Sequence, residues 1–500
     1  MRRGFAAVAA LILAGCTSVG PYAALPIAQH LKRNDAVGEC ARMFRSLDQA
    51  IDQAGVRDAQ ASQVNGFPYL RVDRLTERLA PAGQETDDES NRAWRERMLA
   101  LDREARAIEI ANAGPDIASA RDTAGIDGCR DRLADADHAA TALSAAAHVP
   151  DDYSTAARAL GIYPLTKFAF ASGIRKWHEE TRELHATPLA QLPRLGEAVR
   201  YAPKPPLLLY AFETLPPPER DALGVPRLTS AMTEALIARY APALQVDTVD
   251  TNDRLGQLTW GDGGSRIVAD TTRPVAYARI AFTRIGGRVV PQLVYTFWFP
   301  ARPQEGNFDA LAGNLDGLMW RVTLGADLRP LVYDTIHPCG CYHLFYPTGR
   351  VRTRPGPIPG EEPSDETQFV PQNVDAPRDG ERQLIYLAAR THYVRRVSTM
   401  VDSTSGAIPY ELRDENDLRT LPWPNESAPR GTRSAYGPDA LIAGSERMER
   451  FFFWPMGIDS AGQMRQWGHH ATAFVGRRHF DDPDLFDRYF ELAGPGADPR

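Results

Sequence analysis

The sequence predicts an α+β protein in which an N-terminal helical domain precedes a β-rich domain with an antiparallel sheet and long loops. Three observations support this fold class. Apolar residues recur at spacings of three and four over much of residues 27–200, alternating apolar segments flank a glycine pair near residue 286, and two long segments rich in proline and glycine follow. With 500 residues, of which 43% are hydrophobic and 24% charged, the chain has room for two or three domains.

Three apolar stripes predict the helices of the first domain, residues 27–200. A helix that carries its apolar side chains on one face buries that face, so three such stripes favour helices packed on one another. The pattern at 86–89, a threonine followed three positions later by a glutamate, is typical of a helix N-terminus. The stripes consist of Val37, Cys40, Phe44, Leu47 and Ile51; of Trp94, Met98, Leu101, Ala105 and Ile108; and of Ile126, Cys129, Leu133, Ala136, Ala140 and Leu143.

Strand patterns dominate the second domain, residues 201–500, after a proline-rich boundary at 203–218. Segments 276–283 and 289–299 alternate apolar residues around the glycine pair, which predicts a hairpin. Because of Pro291, its part of the second strand of this hairpin is expected at a sheet edge or in a bulge. The other predicted elements are a helix at 229–240, a hairpin from 318–324 and 331–337, strands at 383–397 and 450–454, and irregular loops near 349–382 and 405–440. Loops of that length are uncommon in compact domains unless they cover a site or are disordered.

The first sixteen residues have the three parts of a signal segment. Arg2 and Arg3 are positive, residues 4–13 are apolar and uncharged, and small residues lead into Cys16. An apolar run of this length cannot span the ~30 Å hydrocarbon core as a helix, which needs about 20 residues. It therefore predicts a segment removed after targeting.

The tetrapeptide Leu13-Ala14-Gly15-Cys16 resembles the lipobox of bacterial lipoproteins. This resemblance covers the signal segment alone, and it implies cleavage before Cys16 and lipidation of its thiol. Residues 1–15 are then the signal peptide and 16–26 a lipidated tether, with the membrane as partner through several acyl chains. Thr17 stands where an aspartate would suggest inner-membrane retention, so the expected location is the outer membrane, facing the periplasm. The alternatives are an ordinary secretory signal and an uncleaved anchor.

Four cysteines remain after Cys16, and an even number in an oxidising compartment suggests disulfides. Four cysteines allow three pairings. Sequence distance favours Cys40 with Cys129, and each lies on the apolar stripe of its predicted helix. The alternative is two buried free thiols. Cys339 and Cys341 are left as a local pair.

A cluster of histidines and cysteines follows the strand predicted at 331–337. Nitrogen and sulfur from these side chains are the main ligands of zinc and copper in proteins. In a straight strand the four side chains would spread over ~20 Å, too far for one ion, so Pro338 and Gly340 would have to bend the segment. Three interpretations stay open: a zinc or copper site, a redox or reactive thiol pair, and a structural disulfide in a tight turn. The four candidate residues are His337, Cys339, Cys341 and His343.

The C-terminal part of the chain is rich in histidine, with six of the eleven histidines after residue 330. If the β-rich domain folds them onto the cysteine loop, they complete a metal or catalytic pocket, with Asp481 or Asp482 holding a histidine in the orientation a ligand needs. Alternatively they are core or surface histidines without a common site. The supporting candidates are His469, His470, His479 and Asp481.

Motifs for several enzyme classes are missing from the sequence. It contains no GxSxG, Walker-type, HExxH, GxGxxG or CxxCH motif, so serine hydrolases, nucleotide-dependent enzymes, zincins and c-type haem proteins have no support. The net charge of −7 gives no electrostatic reason to expect nucleic acid as a partner. The sequence favours a membrane-anchored envelope protein that is a binding or structural body, with a protein or small-molecule partner that it does not specify. The alternatives are a zinc or copper protein and a thiol redox protein, both centred on the 337–343 loop.

Overall fold

Helices dominate the first part of the chain and strands the second, which confirms the predicted α+β class. The computed structural model describes residues 20–81, 88–114, 123–137, 142–204, 216–356, 358, 360–424 and 431–494. The signal segment, residues 16–19 of the tether including Cys16, most of the 203–218 boundary and the first half of the 86–89 motif lie outside these ranges.

The first two apolar stripes each lie on one helix, while the third is divided between a helix that ends at Ala136 and a short helix that contains Leu143; its Ala140 lies outside the described residues. The second helix begins after Asp35, whose side chain accepts a hydrogen bond from Gly38 N, and it ends at Gly55, which has a left-handed backbone. Their buried faces share one core, in which Phe44, Met98 and Leu133 have no solvent exposure. The helices are α1 (Ile27–His30), α2 (Ala36–Ala54), α3 (Arg74–Arg78), α4 (Asp88–Ala113), α5 (Thr123–Ala136), α6 (Ala142–Ala146), α7 (Thr155–Leu160) and α8 (Tyr163–Ala186).

The predicted disulfide links two of these helices. Cys40 of α2 and Cys129 of α5 are bonded, with their Cα atoms 5.1 Å apart. Cys40 is buried among the apolar side chains of the helical core. The pairing favoured by sequence distance is therefore confirmed.

A hairpin interrupts the helices where none was expected. It consists of β1 (Ser62–Val64) and β2 (Phe67–Val72), and every residue of β2 is buried. Because β2 is covered on both faces, its sequence lacks the alternation that identifies a half-exposed strand.

The second region is built on one ten-stranded sheet. Its order is β11-β10-β9-β8-β7-β15-β3-β4-β13-β14, and six of the nine neighbouring pairs are antiparallel. The strands of this sheet are β3 (Glu197–Pro203), β4 (Ala243–Thr248), β7 (Val275–Ile285), β8 (Arg288–Arg302), β9 (Gly313–Leu324), β10 (Pro330–Ile336), β11 (Leu344–Pro347), β13 (Glu381–Leu387), β14 (Val394–Val401) and β15 (Ile408–Asp414). Three small two-stranded sheets pair β5 (Gln257–Gly261) with β6 (Arg266–Asp270), β12 (Val351–Thr353) with β18 (Phe490–Leu492), and β16 (Leu421–Pro422) with β17 (Thr432–Arg433).

Both predicted hairpins lie in this sheet. Strands β7 and β8 turn at Gly286 and Gly287, whose φ angles of 60° and 72° suit the tight turn of a two-residue hairpin loop. Pro291 pairs with β7, while the contacts of β8 with β9 begin one residue later, so the proline lies at a local edge as expected. Strands β9 and β10 form the second hairpin.

Several features of this region differ from the sequence-based expectation. The segment predicted as one strand at 383–397 contains parts of two antiparallel strands, β13 and β14. Strand β3 begins at Glu197, a few residues before the predicted domain boundary. Strand β15 lies inside the segment expected to be an irregular loop at 405–440, and it runs parallel to both of its neighbours, β7 and β3. The segment predicted as a strand at 450–454 begins instead with a helix, α10 (Arg450–Phe453), because a short apolar run without alternation fits either structure.

Two further helices belong to the sheet region. Helix α9 (Ser230–Tyr240) confirms the helix predicted there and begins after Thr229, whose hydroxyl accepts a hydrogen bond from Met232 N. Helix α11 (Leu485–Tyr489) lies near the C-terminus. Within the described ranges, no helix is both long enough and apolar enough to cross a membrane.

A buried ion pair joins the helical region to the sheet region. Arg419, just after β15, donates through Nε and Nη2 to the two carboxylate oxygens of Asp58 at 2.9 and 2.7 Å. Gln466 Nε2 donates to the same carboxylate at 3.1 Å. Both charged side chains are almost fully buried, so this contact fixes how the two regions meet.

Candidate functional site

A cavity of about 500 Å³ lies between α8 and the sheet region. Its wall comes from α8, the loop at 339–343, the segment at 366–369 and parts of the C-terminal segment between 449 and 478. Phe170, Ile174 and Trp177 of α8 line it, at the spacing that places side chains on one face of a helix. The cavity therefore forms where a helix from the first region covers loops of the second.

Aromatic rings make up much of this wall, in two groups. Phe170, Phe453 and Phe474 form one group, with ring centroids 4.9 to 6.5 Å apart. In the second group, Trp177 lies 5.4 Å from Tyr342, and Tyr342 lies 4.5 Å from Tyr393. Such spacings are those of favourable edge-to-face and tilted ring contacts, so the wall is built of mutually supporting rings.

The two cysteines of the 337–343 loop face this cavity as free thiols. The loop is tight: Cys341 O accepts from His337 N at 2.9 Å, and Gly340 has a φ of +95°. The hydrogen bond between the two thiols, together with burial, raises the pKa of Cys341 well above its ordinary value. Of the three interpretations of this pair, the structure thus presents the dithiol and not the disulfide.

The two histidines of the loop contact different carboxylates. His337 Nδ1 donates to Asp316 at 3.2 Å, and His343 Nε2 donates to Asp334 at 2.8 Å. Burial lowers the pKa of His337, and it lowers that of His343 to about 3, so both rings are neutral at physiological pH. Arg321 forms a two-point ion pair with Asp334 and holds that carboxylate in place.

These contacts bear on the metal interpretation of the loop. In the part of the chain that the structure describes, no group of three or more His, Cys, Asp or Glu side chains is arranged so that it could hold a metal ion. The loop brings its two thiols together, while each histidine is held at its own aspartate. The four predicted candidates are thus neighbours in one loop without forming one centre.

The C-terminal histidines that were expected to support this loop are placed differently. His469 Nδ1 and His479 Nε2 approach Asp152 at 2.9 and 3.3 Å, while Arg74 bridges Asp152 and Asp481 at 2.6 and 3.2 Å. Burial disfavours the charged form of His469, but the hydrogen bond and charge of Asp152 outweigh it and raise the pKa. This cluster is an ion network between the C-terminal segment and the helical region.

The fourth supporting candidate, His470, lies in the core. It is buried beside the ring of Phe480, and burial lowers its pKa to about 3. The expectation that all four residues complete a pocket at the cysteine loop is therefore wrong, because Asp152 holds His469 and His479, and Arg74 holds Asp481, in the helical region.

One cavity residue, Glu449, has no counterpart in the sequence-based prediction. It is 5% exposed, and within the described residues its carboxylate has no hydrogen bond or ion pair. Burial raises its pKa to about 7. In the sequence it stands in a charged stretch before an apolar run, as many surface residues do, so no local signal identifies it.

The other charged residues of the wall are partnered. Arg478 donates to the backbone oxygens of Thr367 and Thr472 at 3.0 and 2.9 Å, and it lies 3.9 Å from Glu366. Glu366 accepts from two backbone N–H groups of the segment at 474–475. These two charges therefore serve to hold the C-terminal segment against the 366–369 segment.

No protein-family model matches this chain, and neither a curated protein nor a solved structure is significantly similar to it. Fold and site together show a cavity with an aromatic wall, two thiols and one acid, Glu449, that has no side-chain partner among the described residues. Its function has to be argued from that geometry.

Proposed function

We propose that this protein is a lipid-anchored envelope protein that binds a small, largely apolar ligand in the cavity between α8 and the sheet region. The observation that carries the proposal is the cavity. Its volume of about 500 Å³ lies in the range of small-molecule sites, about 300–1,000 Å³. A wall of aromatic rings with a few polar groups is typical of such sites.

The anchor is a separate part of the proposal and rests on the N-terminal sequence. The lipobox-like tetrapeptide ending at Cys16 supports lipidation there, and Thr17 favours the outer membrane. A body tethered in this way would meet ligands in the periplasm. Mass spectrometry of the N-terminal peptide from the native membrane tests this part: a diacylglycerol-modified Cys16 supports it, and an unmodified or uncleaved N-terminus contradicts it.

Binding is tested with a neutral naphthyl dye whose fluorescence rises in apolar surroundings. We expect the purified full-length protein to bind the dye saturably at one site. Gly173 of α8 lines the cavity and has open space around its Cα, so Gly173→Phe places a ring in the cavity. This variant should weaken dye binding at least tenfold.

A matched substitution controls for general effects of the added ring. Gly125 of α5 is also an exposed helical glycine with open space, but it does not line the cavity. Gly125→Phe should leave dye affinity unchanged. Equal affinities in both variants, or no saturable binding by the wild-type protein, would refute the proposal.

A second candidate function, a thiol redox protein, is favoured by one observation: Cys339 and Cys341 are free, in contact and in the cavity wall. In the reaction, both thiols lose their protons and two electrons pass to a disulfide partner. Cys339 and Cys341 form a disulfide, and the partner is released as two thiols. Incubation with oxidised glutathione and mass spectrometry of the 337–343 peptide tests it. Loss of two hydrogens supports the reaction, and unchanged free thiols exclude it.

A further inference from the structure

We infer that the cavity selects a protonated organic amine, with Glu449 as the counter-ion and the aromatic wall around the apolar part of the ligand. This inference rests on the proposed binding function and specifies its ligand class. No sequence motif indicates this ligand class. The evidence is the environment of one buried carboxylate, that of Glu449.

The first argument is the unsatisfied state of Glu449. Only 5% of the surface of the Glu449 residue is exposed, and carboxylates of such buried residues are ordinarily paired with a cation or with hydrogen-bond donors. Within the described part of the chain, Glu449 has neither, although it lines a cavity large enough for a ligand. A ligand that brings a charged N–H donor would satisfy it.

The second argument is that the backbone leaves room for this carboxylate. Gly462 has a φ of +84°, and a Cβ on it would lie 1.9 Å from Oε1 of Glu449. The positive φ already favours glycine at this position, and the missing Cβ leaves the space that the carboxylate occupies. The Glu449 carboxylate therefore lies against the backbone of the cavity wall.

The surrounding charges do not neutralise Glu449 by direct contact. Arg447 and Arg302 lower its pKa from a distance, while Asp316 and Asp309 raise it. Arg447 Nη2 donates to Leu315 O at 2.6 Å, and Arg302 Nη1 donates to Tyr393 Oη at 2.9 Å.

The thiol of Cys341 also feels the charge of Glu449. Two arginines and two aspartates act on Glu449 in opposite directions, and none of them is paired with its carboxylate, so a bound cation would be its direct counter-ion. An anionic ligand would face repulsion from that carboxylate.

The aromatic wall supports the same ligand class. Rings of Trp177, Tyr342 and Tyr393 lie in one contacting group, and ring faces attract cations as well as apolar groups. Burial raises the pKa of Tyr342 well above its ordinary value, so its phenol stays neutral. Glu366, the second acid of the wall, is held by backbone N–H groups and faces Arg478, which leaves Glu449 as the acid that a ligand can engage.

The test is displacement of the naphthyl dye from the full-length protein at pH 8 by three matched probes: 2-phenylethylamine, 2-phenylethanol and phenylacetate. We expect the amine to bind at least tenfold more tightly than the alcohol, and the anion to bind most weakly. Glu449→Gln keeps the shape of the side chain and removes its charge, so it should weaken amine binding at least tenfold and leave the alcohol within threefold. Glu411→Gln, at an exposed carboxylate outside this cavity, is the control and should change neither.

The pH dependence gives a readout that a structural role of Glu449 would not produce. Because burial holds its pKa near 7, lowering the pH from 8 to 6 protonates the acid and should reduce the advantage of the amine over the alcohol. The advantage of the amine over the alcohol should not change with pH in the Glu449→Gln variant.

If the dye binds but the alcohol displaces it as well as the amine does, the inference is overturned while the binding function stands. If the dye does not bind, both are overturned.

Discussion

Removal of the Cys40–Cys129 disulfide should destabilise the helical region by a predictable amount. The bond closes a loop with a sequence separation of 89 residues between α2 and α5. In the chain-entropy model, opening a loop of this length costs ~4.6 kcal/mol at 25 °C through the greater freedom of the unfolded chain. The double variant Cys40→Ala/Cys129→Ala removes the bond without leaving a free thiol.

The assay is urea denaturation followed by circular dichroism at 222 nm, which reports mainly on helices. With a urea dependence of about 2 kcal/mol per molar, the expected loss corresponds to a midpoint lowered by roughly 2 M. Reduction of the wild-type protein should produce the same shift, since it removes the same bond. Cys339→Ser/Cys341→Ser keeps the disulfide and should shift the helical transition far less. A midpoint shift under about 0.5 M in the alanine variant would refute the reasoning and show that packing alone holds the two helices.

Two further predictions concern buried groups elsewhere in the chain. Burial opposes ionisation of Asp48, but the charge of Arg106 outweighs it and lowers the pKa to about 2. Ionised Asp48 therefore contributes roughly 2–3 kcal/mol to the free energy of unfolding above pH 4, and this contribution is lost as the pH falls towards 2. The Asp48→Asn variant should be less stable at pH 7 and lose less stability on acidification; acid denaturation curves parallel to those of the wild type would contradict this. Gly340→Ala would place a Cβ 2.4 Å from the backbone oxygen of Ala471, whereas the Cβ of Gly444→Ala, also at positive φ, would meet open space. Both substitutions should lower the melting temperature, and Gly340→Ala should lower it clearly more. Equal losses would show that the backbone strain of an alanine at positive φ is the whole effect.

The parts of the fold that were predictable have local signals in the sequence. The apolar stripes of α2, α4 and α5 and the glycine turn between β7 and β8 depend on residues within one element or one turn. The Cys40–Cys129 bond could be inferred because sequence distance leaves Cys339 and Cys341 as a local pair, and both Cys40 and Cys129 lie on helical stripes.

The parts that were missed depend on partners far away in the chain. Strand β15 lies in a polar segment without a strand pattern. It is a strand because β7 and β3, which lie more than 100 residues earlier in the chain, form hydrogen bonds with it on both sides. The candidate site shows the same limit. Sequence proximity grouped His337 with His343, but each is bound to a different aspartate, and the acid that faces the thiols comes from residue 449.

The position of β15 also has a consequence for how the protein is made. A chain that emerges from its N-terminus presents β3, β4 and the β7–β11 hairpins long before residue 408, the first residue of the strand that joins them. At about 5–20 residues per second, β3 and β4 wait roughly 10–30 s for it. During this interval β3 and β7 keep an open hydrogen-bonding edge, which is prone to pair with other chains. Until β15 has been made, these two strand edges have no partner, and the part of the cavity wall that comes from residues 449–478 is also still missing.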